Sequence, residues 1–449
     1  MGFDPTAPSL HVGHLIGLRL LLQLQTAGLP AIALVGGVTA VVGDPSGRSS
    51  ARTALSPEKV QHNAQRLHAM LLRLLQDTGE GGGGPMVLDN SAWLADLRVT
   101  DLLTGAGRHM RIGAMLGKEN VRTRLMPGAA GLSFAEFAYP LLQGYDWVHL
   151  ARAHNCRVQI GGSDQWGNLV DGAGLVRQML DSETHRGSDA PAGQTGASEA
   201  DIVGITCPLL VDSTGAKLGK SGGNAVWLDS DLTSPYELYQ YFRRLDGSTA
   251  HTLLKQLTDV SLEEADQLAK EHEANAAGAA AAEKLAEEVV SWVHGAEAAA
   301  AASNATAALY SSSVRGANAG CDAREAAAAL ANALLVGGGG GGVTANLSRA
   351  DVIGAQLLDV CVLSGLTRSK GEARRLLAAG GLACNEERCD PQADAKRVIT
   401  EADLLQVDVG ARECVRAGQT DDEDGLVVAS TSVLLLRAGR KKHLLITLT

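Results

Sequence analysis

Between Gly2 and Trp227 short apolar runs alternate with helix-patterned stretches, and nothing else in the chain restricts its fold as strongly. Neighbouring parallel strands cannot be joined by a tight hairpin, so an apolar run followed by a helical stretch calls for a crossover. The series therefore predicts an α/β layer built on a parallel sheet. Candidate strands are Ala31 to Gly36, Met86 to Leu88, Arg157 to Ile160 and Ile202 to Leu210, each running into Gly, Asp or Ser. Those are residues of the strand-to-helix turn, the edge at which open α/β sheets bind ligands. The polar, Gly-rich stretch Glu183 to Ala200 has no periodicity and reads as a surface loop.

From Ser234 to about Leu335 the chain turns Ala-, Glu- and Leu-rich with helical spacing, and the run Gly337 to Gly342 then reads as a hinge. A small last unit follows, with a helix over Gly371 to Ala378, a turn at Gly380-Gly381 and short strands ending in Leu444-Leu445-Ile446. A net charge of −11 excludes bulk attraction to polyanions, so any nucleic-acid contact must come from local clusters. Two exist: Arg368, Lys370, Arg374 and Arg375, then Arg437, Arg440, Lys441 and Lys442. The seven cysteines are scattered, as reduced thiols are, and only Cys384 and Cys389 stand close together, so no metal is expected. No window reaches the ~20 apolar residues of a membrane span; the longest candidate, Ala31 to Gly43, ends at Asp44.

Two stretches carry chemistry. The first is Gly2-Phe3-Asp4-Pro5-Thr6-Ala7-Pro8-Ser9-Leu10-His11-Val12-Gly13-His14, in which Ser9 can cap a helix starting near His11. A helix start offers free amides to an anion; His11 and His14 share one face and can donate to phosphate oxygens, and Gly13 lets a flat base approach the backbone. The second, Gly215 to Gly223, places Lys217 and Lys220 three apart among glycines. That suits a cationic loop closing on a triphosphate. A Walker A loop needs a glycine where this chain has Thr214, so a P-loop nucleotidase is excluded.

Together the two stretches resemble the two signatures of class I aminoacyl-tRNA synthetases. Gly2 to Thr6, Val35-Gly36-Gly37, Gly43-Asp44-Pro45-Ser46-Gly47, Tyr139 with Gln143 and Asp146, and Gly161 to Asn168 make nearly the whole chain similar to the bacterial and organellar tyrosyl-tRNA synthetases. The resemblance implies a Rossmann-like nucleotide-binding parallel sheet over residues 1–229, with a dimer-forming insertion over 90–150. It further implies an α-helical tRNA-binding domain over 230–336, a Gly-rich linker over 337–346 and a small α+β S4-like RNA-binding domain over 347–449.

The chemistry it implies is ATP-dependent activation of L-tyrosine, with Mg2+, followed by transfer to tRNA(Tyr). The tyrosine carboxylate is already ionised and needs no general base, only alignment and charge stabilisation. By resemblance, His11 and His14 meet the ATP phosphates, Gly13 the adenine, and Lys217, Lys220 and Ser221 the pyrophosphate, with Arg48 and Arg52 assisting. Asp4, Thr6, Gly162 and Asp164 hold the adenylate. Asp44, Tyr139 and Gln143 hold the amino acid's ammonium, Asp146 with Gln165 faces the phenol, and Gln159 completes the pocket. Taken singly, Tyr139, Gln143 and Asp146 are an ordinary helix face. Arg368, Ser369, Lys370, Arg374, Arg375, Arg440, Lys441 and Lys442 fall to tRNA.

A homodimer is implied through Val99 to Leu125, with Met110, Ile112, Met115 and Leu116 as its apolar contacts; no membrane or DNA partner is expected. The family carries a strand and a substrate-touching tyrosine ahead of the residues that match Gly2, so an N-terminal segment is expected upstream. The glycine runs and the Glu183 to Ala200 and Asp421 to Asp424 stretches suit expansions in a GC-rich nuclear genome. That favours mitochondrion or chloroplast over a bacterial cytoplasm. Rival readings are a nucleotidyltransferase with another acceptor and a non-catalytic RNA-binding protein.

Overall fold

The computed structural model describes residues 1–46, 55–76, 86–129, 131–184, 202–215, 217–221, 224–274, 279–314, 323–336, 344–385, 387–409, 429–438 and 442–448. They divide into two compact units, Met1–Gly219 and Lys220–Thr449. In the first, apolar runs form strands β1 (Gly2–Phe3), β2 (Ile32–Val35) and β3 (Met86–Asp89), paired in parallel in that order. Helix α1 (Leu15–Thr26) crosses from β1 to β2; α2 (Thr39–Val42) and α3 (Pro57–Leu74) lead to β3. Every third or fourth position of α3 is apolar and buried, from Val60 through Leu67 and Leu71 to Leu74, which is how a helix lies on a sheet. Ser56 starts it by accepting the Lys59 N–H at 3.3 Å, with Pro57 at the first helical position.

Short helices α4 (Ser91–Leu94), α5 (Val99–Thr104), α6 (Ile112–Leu116) and α7 (Glu119–Leu125) lead to the long α8 (Phe134–His154). Ser133 and Glu136 form a reciprocal capping box at the start of α8. A second parallel pair follows, β4 (Val158–Gly162) and β5 (Val203–Cys207), joined by α9 (Trp166–Thr184). The run Ile202 to Leu210 yields a shorter strand than its composition suggests, because Pro208 has no N–H to give the ladder. The loop expected from Glu183 is partly helix, since α9 continues through Thr184; residues 185–201 lie outside the described ones, as do the glycine runs and Asp421 to Asp424.

Helices α8 and α9 approach closely at Gly144 and Gly172. A Cβ on Gly172 would lie 3.0 Å from the fully buried Trp147 ring and 3.6 Å from the Gly144 Cα. Gly172→Val therefore overpacks this crossing and costs about 1–3 kcal/mol, read as a lowered denaturant or thermal midpoint.

The insertion corrects one expectation. Met115 is buried and Met110 packs against the core of its own chain, beside Ala106 and Trp147. Of the four, Ile112 and Leu116 are exposed, together with Val99 and Leu103, Met110 is half-buried, and Met115 alone is buried.

The second unit opens with the antiparallel pair β6 (Lys220–Ser221) and β7 (Asn224–Ala225). Helices α10 (Pro235–Arg243), α11 (Gly247–Leu257), α12 (Leu262–Ala274), α13 (Ala280–His294), α14 (Ala296–Val314) and α15 (Ala323–Val336) follow, with α10 begun by a Ser234–Glu237 capping box. After them come β8 (Thr344–Leu347), α16 (Arg349–Val352), α17 (Leu357–Leu363), α18 (Lys370–Ala378), β9 (Leu382–Cys384), β10 (Glu387–Arg388), β11 (Leu405–Val409), β12 (Ala429–Ala438) and β13 (Lys442–Leu448).

Their sheet runs β10-β9-β12-β13-β8, with β11 also on β12; only β13 and β8 are parallel. Gly380, at φ +64°, makes the expected turn between α18 and β9. Leu357, Leu377, Leu434, Leu436 and Ile446 form the core together with Cys361, Cys384 and Cys389. Burial pushes those three thiols up to about 12, 12 and 11, so they are inert packing residues. Among the described residues no helix is long and apolar enough to cross a membrane.

Candidate active site

The His11 to His14 turn is built by its own imidazoles. Ser9 does not cap it; the Ser9 hydroxyl is buried and donates to the Leu10 carbonyl at 2.7 Å. His11 takes that place because its Nδ1 reaches the Gly13 N–H at 3.0 Å, while His14 Nδ1 accepts the His11 N–H at 3.1 Å. His14 Nδ1 also stands 3.2 Å from the His11 carbonyl, a contact that would ask it to donate; because the His11 and Gly13 N–H groups can only donate, we assign both Nδ1 atoms as acceptors and the hydrogens to Nε2. Withdrawal from water, then the neighbouring His11 ring, lowers the His14 pKa to about 3. His14 is thus a neutral Nε2–H donor at any physiological pH. A Cβ on Gly13 would press on the His11 ring at 2.8 Å, so any side chain there must displace that ring.

The cationic stretch meets this turn. Asp212 organises it by accepting the Thr214 N–H at 2.9 Å, and Leu218 N–H returns to the Leu210 carbonyl at 2.8 Å. Gly215 and Gly219, at φ +84° and +95°, reverse the chain where only glycine does so freely. Gly219 lies so close to the turn that a Cβ on it would stand 3.2 Å from the Gly13 nitrogen and 3.6 Å from His11 Nδ1. Lys217 is exposed. Lys220 and Ser221 are described only as the backbone of β6, and Arg48 and Arg52 lie outside the described residues.

Past the C-terminal ends of the strands a chain of polar side chains lines the sheet edge. Tyr139 Oη–H donates to Asp4 Oδ2 at 2.9 Å, and Asp4 Oδ1 accepts the Thr39 hydroxyl at 2.9 Å. Thr39 in turn accepts from Asn90 at 3.0 Å, and Asn90 also donates to Asp146 Oδ2 at 3.0 Å. Burial, then the Asp4 and Asp44 charges, raises the Tyr139 phenol well above its ordinary value, so it stays a donor. A Cβ on Gly36 would collide with the Asp4 carboxylate and the Thr39 hydroxyl, and one on Gly37 with Asp89, which accounts for the glycine pair after β2.

A second network holds Asp44: its Oδ1 accepts the Ser46 N–H at 2.9 Å and its Oδ2 the Gln165 amide at 2.7 Å. Asn168 donates to Gln143 Oε1 at 2.8 Å, and Gln143 donates to Gln159 at 3.2 Å. Gln165 therefore sits with Asp44 and not with Asp146, because β4 delivers it to the Asp44 loop. Thr6 closes the turn after Asp4, its N–H on the Asp4 carbonyl at 2.7 Å. Gly162 and the exposed Asp164 stand together at the end of β4, where a Cβ on Gly162 would meet the Asp164 carboxylate at 2.5 Å.

Asp146 is nine-tenths hidden from solvent, with the Trp93 Nε1–H on Oδ1 at 2.8 Å and Asn90 on Oδ2. Burial pushes its carboxyl up to about 7 against the opposing pull of those two donors, with Asp4 and Asp89 raising it further. Each oxygen keeps one lone pair for a hydroxyl. Asn90, Trp93 and Thr39 were missed in the sequence; the signal for Asn90 was its place directly after strand β3, at the ligand-binding edge.

In the C-terminal sheet unit, Arg368, Ser369, Lys370, Arg374 and Arg375 are all exposed at the start of α18. Ser369 caps that helix on the Glu372 N–H at 3.2 Å, and Lys370 pairs with Asp359. Arg440 and Lys441 lie outside the described residues, and Lys442 opens β13.

An imidazole turn, a lysine-bearing loop packed on it and a set of buried polar side chains at the sheet edge are the arrangement expected of a nucleotide-dependent activating enzyme of α/β type. Residues 1–311 match the family described as tRNA synthetases class I (W and Y), and the chain belongs to it. A tyrosine–tRNA ligase of Cereibacter sphaeroides (strain ATCC 17025 / ATH 2.4.3) is 38% identical over 92% of this chain and 89% of its own. The human mitochondrial tyrosine–tRNA ligase is 44% identical over 69% of this chain and 62% of its own. A C-terminally truncated Aspergillus nidulans mitochondrial tyrosyl-tRNA synthetase superposes with a TM-score of 0.61 at 34% identity, over 69% of this chain and 84% of that one.

Proposed function

We infer that this chain is a tyrosine–tRNA ligase: it joins L-tyrosine to ATP as tyrosyl-adenylate with release of pyrophosphate, then passes the tyrosyl group to tRNA(Tyr). The observation that carries this reading is the packing of the Gly215–Gly219 loop on the His11–Gly13 turn, beside a polar chain that ends in the buried Asp146. His11 and His14 offer Nε2–H donors to the triphosphate, and Lys217 and Lys220 neutralise departing pyrophosphate, with Ser221, Arg48 and Arg52 assisting. Gly13 receives the adenine, and Thr6, Gly162 and Asp164 hold the adenylate. Asp4 joins them at the adenylate; Asp44, Tyr139 and Gln143, with Gln159 and Gln165 behind them, make the electronegative end that takes the ammonium. Asp146 takes the phenol.

Mg2+ arrives with the ATP phosphates; among the described residues there is no group of three or more His, Cys, Asp or Glu side chains that could hold a metal ion. The exposed apolar Val99, Leu103, Ile112 and Leu116 support a homodimer through the insertion. The exposed basic residues around α18 support an S4-like RNA-binding domain over 347–449, behind the catalytic domain 1–229, the helical domain 230–336 and the linker 337–346. Bacterial and mitochondrial relatives fit a bacterial cytoplasm or an organelle, and we propose the organelle.

The test is exchange of labelled pyrophosphate into ATP with tyrosine, phenylalanine or tryptophan, followed by charging of tRNA(Tyr). Exchange with tyrosine alone, followed by charging, is the expected result. Exchange with tryptophan instead, or with none of the three, overturns the reading.

A further inference from the structure

One ring on α8 has no part in the roles above. His149 lies one helical turn past Asp146, and its imidazole stacks on the Trp93 indole with centroids 4.2 Å apart and planes 13° from parallel. The same indole donates its Nε1–H to Asp146 Oδ1 at 2.8 Å. The three residues close a triangle: α8 supplies both the carboxylate and the ring that clamps the carboxylate's donor.

Trp93 needs such a clamp. It sits on the four-residue α4, whose N-cap Asn90 makes no side-chain capping bond because its carbonyl oxygen accepts the Val38 N–H at 2.9 Å, while its amide donates to Thr39 and Asp146. A helix this short has no stability of its own, so the indole plane is set by what packs against it.

We infer that His149 is a positioning residue for recognition of the substrate hydroxyl: by stacking on Trp93 it keeps the indole N–H aimed at Asp146, and so keeps the Asp146 carboxylate turned towards the phenol. The inference rests on the tyrosine-activating reading above. An N–H···O bond weakens steeply once its angle falls below about 120°, so an unclamped indole loses this bond by tilting, without leaving its place. Asp146 then keeps only Asn90, between the Asp4 and Asp89 charges that already oppose its ionisation.

The clamp is a contact of rings. Burial, then His154 and Arg152, lowers the His149 pKa below its ordinary value, which favours the uncharged imidazole. A neutral six-membered ring can therefore replace it, and a small side chain cannot.

The test uses the full chain as wild type, His149→Ala, His149→Phe, Trp93→Phe and the double variant Trp93→Phe/His149→Ala. Pyrophosphate exchange yields KM for tyrosine, KM for ATP and the preference for tyrosine over phenylalanine. An aromatic stack contributes enough to predict that His149→Ala raises the tyrosine KM by about 3- to 10-fold, with the tyrosine preference falling alongside and the ATP KM unmoved. His149→Phe restores both to within about twofold of wild type, since the ring area is kept. Trp93→Phe shows the larger loss, and adding His149→Ala to it changes nothing further, as two residues acting through one bond require.

A wild-type tyrosine KM in His149→Ala, equal damage in His149→Phe, additive losses in the double variant, or an ATP KM that rises in step would each overturn the positioning role while the activity reading stands. A wild-type chain that shows no exchange with tyrosine removes the activity reading, and this inference with it.

Discussion

His14→Ala lowers the rate of adenylate formation by about 10²- to 10³-fold and leaves the tyrosine KM within about twofold. The loss is large because the donor is set before ATP arrives. His14 Nδ1 is committed to the His11 N–H, which fixes the hydrogen on Nε2 and the ring plane with it. A donor that needs no reorientation acts on the charge that grows as pyrophosphate departs, and that charge is absent from bound tyrosine.

Two controls separate this account from a charged imidazolium. His14→Gln places an amide N–H near the Nε2 position and recovers part of the rate, whereas the shorter His14→Asn does not reach it. With the His14 pKa at about 3, no limb of the rate profile between about pH 5 and 7 belongs to this residue. A limb in that range that vanishes in His14→Gln would show the ring acting as a cation. Single-turnover adenylate formation measures both.

The strands of the first unit were legible because short apolar runs bounded by turn residues mark them, and β2, β3, β4 and β5 each overlap one such run, although of the four only β2 is largely buried. Where reading and structure part, a competing local interaction decides. Ser9 has cap chemistry, but the His11 ring stands nearer the orphan amide and takes it. Glu183 and Thr184 look like loop, yet the α9 helix already packed on Gly144 carries them along.

Among the insertion's apolar residues, sequence cannot tell Met115 from Leu116. Adjacent helix positions point about 100° apart, so one is buried and the other is exposed. The site is harder still. Asp4 and Tyr139 meet across 135 positions, and Asn90 and Asp146 across 56. No periodicity encodes such pairs; only the recurrence of motif residues picked out Asp4, Tyr139 and Asp146. Asn90 and Trp93 belonged to no quoted motif, and their part as the donors that hold Asp146 became visible only once α8 and β3 were side by side.

The burial of Asp146 and the donors that hold it have two measurable consequences of opposite sign in pH. The folded carboxyl is raised from 3.8 to about 7, so between those values the native state keeps a proton that the unfolded chain has released. The stabilisation is full below about 3.8 and is lost as pH rises through about 7, a span of about 4 kcal/mol. Asp146→Asn has no such proton, so denaturant titrations place wild type progressively below the variant as pH rises from about 4 to 8.

Tyrosine binding runs the other way. Asn90 and Trp93 already favour the ionised carboxylate, and a phenol O–H adds a third donor to the same form. By linkage, tyrosine KM falls as pH rises from about 5.5 to 8, by at most about tenfold per unit, and levels off above the Asp146 pKa. Phenylalanine shows no such slope. Enzymes of this family are themselves the reference case for rejecting phenylalanine by ~10⁵ through an unpaired polar group. Asp146→Asn removes one charged acceptor, worth about 10- to 150-fold of that preference, and the pH slope disappears with it. A tyrosine KM that instead rises with pH would mean that the protonated carboxyl, and not the carboxylate, is the form that holds the phenol.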